Sequence, residues 1–325
     1  MDTILSVMGQ NLVSPIILSF VLGLLAALGR SSLSVPEAAA KALSIYLLFA
    51  IGFKGGASVS SHGLDARLVL SLVAGVALSF VIPVIAFALL RVMSRLSAID
   101  AAAVAGHYGS ISIVTFVSAT AILTDSGIMS EGYMVAVAAA MEAPAILSAL
   151  WLAARSGSGG RMDRELWREV LLNGSIVLLV GAFAIGAITG EKGLKEIESF
   201  IVSPFKGVLC LFLLDMGLVA GRGLQQAKGS LGLGTVAFAI VMPLISAALA
   251  LPLALMLGLS VGGVALLMTL AASASYIAVP AAMRVALPEA NPSIYLTLSL
   301  GVTFPFNLAL GIPVYMAVAQ RIAGG

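Results

Sequence analysis

Residues 101–124 read AAAVAGHYGSISIVTFVSATAILT, and residues 261–283 read VGGVALLMTLAASASYIAVPAAM. Neither stretch contains Asp, Glu, Lys or Arg, and each is long enough to cross a bilayer as a helix of about 20 residues. Each is also interrupted in its middle by small and polar residues: Gly106-His107-Tyr108-Gly109-Ser110-Ile111-Ser112 in one, and Ala272-Ser273-Ala274-Ser275-Tyr276-Ile277-Ala278-Val279-Pro280 in the other. Ser110 and Ser273 are 163 residues apart, as are Ser112 and Ser275. A matched pair of broken apolar segments points to a membrane protein made of two related halves.

The rest of the chain agrees. Hydrophobic residues make up 60% of the 325 positions and charged residues 10%, too few polar groups to cover a water-soluble surface. The length rule picks out ten apolar stretches: roughly 12–29, 42–60, 68–90, 101–124, 132–154, 171–189, 200–221, 231–257, 261–283 and 293–320. Lipid leaves the backbone few choices but helix, so the expected fold class is an all-α membrane protein of ten transmembrane helices. The one stretch resembling a linker follows Arg155, where Ser-Gly-Ser-Gly-Gly leads into alternating charges. Residues 1–154 then form a first five-span repeat, 155–170 a cytoplasmic linker, and 171–325 a second.

Other unusual residues fall into the same register. Asn11 meets Asn173, Phe49 meets Phe212, Pro83 meets Pro243, Tyr133 meets Tyr295 and Pro144 meets Pro305, at separations of 160 to 163. Five spans per half is an odd number, so the halves enter the membrane from opposite sides, as inverted repeats with broken helices in spans four and nine. With the N-terminus outside, the cytoplasmic loops carry 11 of the 17 Lys and Arg residues and the outer side 6. The excess is what both termini outside would give, which for a bacterial inner membrane, the expected location, is the periplasmic side.

In such a plan the site lies where the broken helices meet. The second half of each broken helix begins with unpaired N–H groups and a partly positive dipole end, which bind a small anion with help from serine hydroxyls. Unwound carbonyls and C-terminal helix ends suit a cation such as sodium. Ser110, Ser112, Ser273 and Ser275 are therefore candidate substrate ligands; the alternative is that they only permit close helix packing.

Charges inside spans are costly and are functional candidates by default. Glu142, in Met141-Glu142-Ala143-Pro144, suits cation binding or proton coupling, or a buried structural hydrogen bond. Asp215, in Leu213-Leu214-Asp215-Met216-Gly217, is either a ligand or an interhelical partner. Asn307, in Thr303-Phe304-Pro305-Phe306-Asn307, could offer its carbonyl to a cation or bond across helices. Lys54 and Lys206 fall near span ends, where long side chains snorkel. His107 either titrates or is a hydrogen-bonded fixture. Cys210, the one cysteine, sits in an apolar run and reads as a small hydrophobe.

The Gly106–Ser110, Met141–Pro144, Leu213–Gly217 and Ala272–Tyr276 motifs resemble those of the sodium-dependent bicarbonate transporter superfamily, over essentially the whole chain. Its best-known members serve the cyanobacterial carbon-concentrating mechanism. The resemblance implies a ten-span inverted repeat, a homotrimer, and an elevator-like core moving against a scaffold. It implies bicarbonate held between spans four and nine beside sodium, with Gly109, Ser110, Ser112, Ser273, Ser275 and Tyr276 near the substrate. A small PII-like cytoplasmic regulator belongs to the same picture, although the link from Arg155 to Glu169 is short beside the central region of regulated members. The expected function is sodium-coupled import of bicarbonate, with no organic cofactor. Competing readings are a sodium- or proton-coupled carrier of another small organic anion, a passive channel, and an intramembrane enzyme. The last lacks a nucleophile with a positioned base, and the chain holds no His-Glu-x-x-His metal spacing.

Overall fold

The computed structural model describes residues 13–62, 66–156, 172, 174–226 and 231–323. Every regular element among these residues is a helix, the outcome required where lipid cannot pair with backbone N–H and C=O groups. Among the described residues, eight helical segments are long and apolar enough to cross a membrane, and two shorter apolar helices, Pro15–Leu28 and Val261–Ala272, accompany them. Each overlaps one of the apolar stretches read from the sequence, although Val261–Ala272 covers only the first half of 261–283. In chain order they are α1 (Pro15–Leu28), α2 (Glu37–His62), α3 (Ala66–Met93), α4 (Ala98–Gly109), α5 (Ile113–Asp125), α6 (Met134–Ala140), α7 (Glu142–Arg155) and α8 (Gly174–Ile201). There follow α9 (Phe205–Gln226), α10 (Leu233–Met256), α11 (Val261–Ala272) and α12 (Ala278–Ala286), then a last rod built of α13 (Pro292–Leu296), α14 (Phe304–Phe306) and α15 (Ile312–Ala323).

Two helix pairs approach at van der Waals range because glycine removes the side chain from the contact. In the α1–α9 pair, Gly23 faces the backbone of Leu214 and Leu218, and Gly217 faces that of Phe20 and Leu24. In the α2–α8 pair, Gly186 faces the backbone of Phe53 and Ala57, and Gly56 faces that of Phe183 and Ala187. A Cβ on any of the four would run into the partner helix. The two crossings exchange residue by residue. Gly23 and Gly186, Phe20 and Phe183, and Leu24 and Ala187 are each 163 apart; Gly56 and Gly217, Phe53 and Leu214, and Ala57 and Leu218 are each 161 apart.

The other helices pack as α3 against α4 and α7, and α10 against α11, with α11 against α15 and α3 against α10 joining them. The two broken spans begin alike. Ser97 caps α4 by accepting from the Asp100 N–H at 3.1 Å, and Ser260 caps α11 by accepting from the Gly263 N–H at 3.1 Å. Each start is also pinned from the other half of the chain: the Glu131 carboxylate accepts from the Ser260 N–H at 2.6 Å, and the Asp100 carboxylate accepts from the Asn291 N–H at 2.8 Å.

Two features depart from the hydropathy reading. Helix α8 does not end with its apolar run near residue 189 but continues to Ile201, bending at Gly190, whose φ of 58° is open to glycine without strain. The extension is charged, and Glu191 with Lys195 and Lys192 with Glu196 are opposite pairs at the spacing that supports a helix. The last rod is not uniform. Turns of π-helix run over Thr297–Thr303 and Asn307–Gly311, on either side of Pro305, where the proline has no N–H to give the ladder. The linker beyond Ser156 and the Asn11–Asn173 match lie outside the described residues.

Candidate functional site

Both expected breaks are present, and they cross each other. Helix α4 stops at Gly109; Ser110, with ψ 146°, and Ser112, with ψ 110°, are extended, and α5 starts at Ile113. Helix α11 stops at Ala272, Ser273 is extended with ψ 161°, and α12 starts at Ala278. Extended backbone cannot satisfy itself, so buried breaks need outside partners. Here each supplies the other: the Ser112 N–H donates to the Ser273 hydroxyl at 2.9 Å, and the Ser275 N–H donates to the His107 carbonyl at 2.7 Å.

The four serines are all buried but are not equivalent. Ser273 is fully committed, accepting from Ser112 and donating to the Leu270 carbonyl at 2.8 Å. Ser112 accepts from the Thr115 N–H at 3.3 Å, and Ser275 accepts weakly from the Val279 N–H at 3.5 Å; both keep an O–H to give. The Ser110 hydroxyl has no partner at all. Its counterpart bond would run to the His107 carbonyl three residues back, which instead accepts from the Ser275 N–H.

A narrow cleft lies at the crossing, with no single space wide enough for a water molecule. Ser112, Ser275, Glu142 and Tyr276 line it, and Ile111, Ile113 and Ile277 complete it. Glu142 reaches it as the first residue of α7. Pro144 has no N–H for the Ala140 carbonyl, and the neighbouring Met141 carbonyl is taken by the Ser79 hydroxyl at 2.6 Å. The Glu142 Oε2 atom is buried without a partner, an expensive state for a carboxylate oxygen unless a cation or proton joins it. The Tyr276 hydroxyl lies beside Ser112 without completing a well-formed hydrogen bond. The Tyr276 ring meets Phe304 edge-on at 5.6 Å, and Phe304 meets Phe20 of α1 at 5.3 Å.

The remaining candidates fall around this cleft rather than in it. Gly109 sits where a Cβ would collide with the Pro83 ring and lie 3.0 Å from Ala145, so its visible contribution is close packing. Asn307 is buried and occupied: its amide donates to the Ala272 carbonyl at 2.8 Å and its oxygen accepts from the Tyr315 hydroxyl at 3.0 Å. It therefore holds the C-terminal end of α11 in place. Asp215 is buried on α9 near Arg222 and is not part of the cleft lining. His107 is stacked on Tyr295 at 4.3 Å and donates from Nδ1 to the Ala103 carbonyl at 2.7 Å, with Nε2 lacking a partner. Lys206 pairs with Asp125, and Lys54 sits 3.9 Å from the Phe205 ring centre.

Three features of the site had no clear sequence signal. The Tyr108 hydroxyl donates to Thr303 at 2.6 Å, whose own hydroxyl donates to the Ala239 carbonyl at 2.6 Å, tying α4 to the last rod and α10. Bonding across helices is one of the two sequence readings of Asn307, but its partner, the Ala272 carbonyl 35 residues away in another span, has no mark in the sequence. The three isoleucines look in sequence like any apolar side chains. No group of three or more His, Cys, Asp and Glu converges among the described residues, so the oxygens at hand are hydroxyls, carbonyls and one carboxylate, a set suited to a hard cation.

The family model for the Na+-dependent bicarbonate transporter superfamily matches residues 15–320, and the chain belongs to that family. No curated protein matches it. The apolar helices and the family together make this a multi-pass membrane protein of a transporter family.

Proposed function

We propose that this member of the bicarbonate transporter superfamily is a sodium-coupled symporter that imports bicarbonate, binding both ions where the breaks of α4–α5 and α11–α12 cross. One observation carries the reading. At that crossing a carboxylate oxygen of Glu142 and the hydroxyls of Ser110 and Tyr276 are buried without partners, so the site holds unmet demand for a cation and unused donors for an anion. Ser112, Ser275, Ser110 and Tyr276 donate to the anion, and Ser273 and Gly109 shape the break. Glu142 takes sodium, with Asn307 and Asp215 in supporting or separate cation roles. Placing the two ions together lets each offset the dehydration of the other.

The paired crossings support the inverted-repeat plan, because the contacts of Gly23 and Gly217 are reproduced by Gly186 and Gly56 at separations of 163 and 161. In this reading α1, α2, α8 and α9 form the scaffold, and the remaining helices form a core that carries the site in an elevator-like movement. The ten-span count, the linker between the halves, periplasmic termini in a bacterial inner membrane, a homotrimer and a small PII-like regulator belong to the same proposal.

Coupling through one cleft makes binding reciprocal. Calorimetric titration of bicarbonate into detergent-purified protein should show tighter binding in sodium than in potassium, and sodium should bind tighter with bicarbonate present by the same factor. Equal bicarbonate affinity in the two salts would overturn the shared site.

A further inference from the structure

The cleft lining is divided in its chemistry. Ser112, Ser275 and Tyr276 offer hydroxyls, whereas the side chains of Ile111, Ile113 and Ile277, whose backbone belongs to the breaks and helix starts, offer only methyl and methylene groups. Bicarbonate is planar and polar around its whole edge, and its O–H is itself a donor that loses a partner when set against hydrocarbon. The sole carboxylate in the lining, Glu142, could accept that O–H only in competition with the cation. Acetate has the same planar outline and the same number of heavy atoms, with a methyl group where bicarbonate carries its hydroxyl. A methyl against isoleucine is favourable, and the carboxylate oxygens keep the serine and tyrosine donors.

We infer that the cleft accepts short-chain monocarboxylates, acetate foremost, as transported anions beside bicarbonate, with Ile111, Ile113 and Ile277 as the selectivity wall. The inference rests on the transport reading above. Selectivity arithmetic sharpens it. A site that hydrogen-bonds a substrate hydroxyl rejects the analogue lacking it by roughly 10⁴-fold or more, whereas an apolar wall discriminates by only about 10- to 200-fold. A cleft walled this closely favours the smallest anion, giving the order acetate, propionate, butyrate, with each added methylene accepted less well.

Ile277 is the position to alter, because it is 39% exposed while Ile111 and Ile113 are buried. Ile277→Thr puts a hydroxyl on the wall and Ile277→Ala enlarges it. The measurement is sodium-driven uptake of labelled bicarbonate and labelled acetate by proteoliposomes at alkaline pH, with unlabelled acetate, propionate and butyrate as competitors. The wild-type protein should accumulate acetate only with a sodium gradient. Acetate should inhibit bicarbonate uptake at concentrations within about 100-fold of bicarbonate's own KM. Ile277→Thr should shift the acetate-to-bicarbonate preference about 10-fold toward bicarbonate, and Ile277→Ala should improve propionate relative to acetate. Sodium-driven bicarbonate uptake that persists through a 10³-fold excess of acetate would overturn the inference and leave the transport reading standing. Loss of sodium dependence for both anions in the wild-type protein would instead sink the transport reading, and this inference with it.

Discussion

Replacing Ser273 and Ser110 separately by alanine should have opposite consequences, although the two occupy matching positions of their breaks. The Ser273 hydroxyl accepts the Ser112 N–H at 2.9 Å. Ser273→Ala leaves that buried N–H without a partner, a loss of about 1–3 kcal/mol of stability. The Leu270 carbonyl is less affected, because the Ser273 N–H also reaches it at 3.3 Å. The Ser110 hydroxyl satisfies nothing in the protein, so Ser110→Ala should leave thermal stability unchanged or slightly raised. If that hydroxyl serves the anion, its loss removes a hydrogen bond to a charged group, about 1.5–3 kcal/mol, or roughly 10- to 150-fold in affinity. Thermal unfolding of detergent-purified variants, paired with calorimetric bicarbonate binding in sodium, separates the effects. The expected pattern is a lower unfolding midpoint for Ser273→Ala, and weaker binding at unchanged midpoint for Ser110→Ala. A Ser110→Ala protein that binds normally would return Ser110 to packing, and equal destabilisation by both variants would refute the asymmetry.

Glu142→Gln should raise the sodium concentration needed for half-maximal uptake far more than it alters anion preference, and an unchanged sodium curve would make Glu142 structural. Gly56→Val and Gly217→Val should each cost about 1–3 kcal/mol or more by forcing helices apart, whereas Gly181→Val, where an added Cβ meets nothing within 4 Å, should be mild; chromatographic monodispersity and thermal unfolding would tell. Asn307→Ala should destabilise the protein by about 1–3 kcal/mol, since it strips the Ala272 carbonyl and the Tyr315 hydroxyl of partners; unchanged thermal unfolding would deny the anchoring role. Reporter fusions near Arg222 should read cytoplasmic and fusions after Gly325 periplasmic, and a cytoplasmic C-terminus would defeat both the orientation and the ten-span count.

The breaks were legible because polar Ser-x-Ser pairs interrupt stretches otherwise free of charge, and their 163-residue spacing marked them as counterparts. The glycine crossings carried the same signal unread: Gly23 with Gly186 and Gly56 with Gly217 keep nearly that spacing, yet in a chain with 34 glycines only the observed contacts single them out. The run from Glu191 to Glu198 falls between two apolar stretches because span length is read from apolarity, while its opposite charges four apart sustain the helix beyond the apolar run. Which hydroxyls are committed was not readable at all. Ser110 and Ser273 are the same residue in matching positions, and only the observed contacts show that one hydroxyl is bonded and the other is not. Asn307 and Asp215 likewise looked alike as polar groups in apolar runs, and packing alone separates an anchor of α11 from a side chain buried on α9.

The most direct test of the account is concentrative uptake of labelled bicarbonate by sealed proteoliposomes at alkaline pH under an inward sodium gradient. The account predicts accumulation above the external concentration, abolished when choline replaces sodium and when the gradient is collapsed. Uptake that only equilibrates, or that is the same in choline, would contradict sodium-coupled transport.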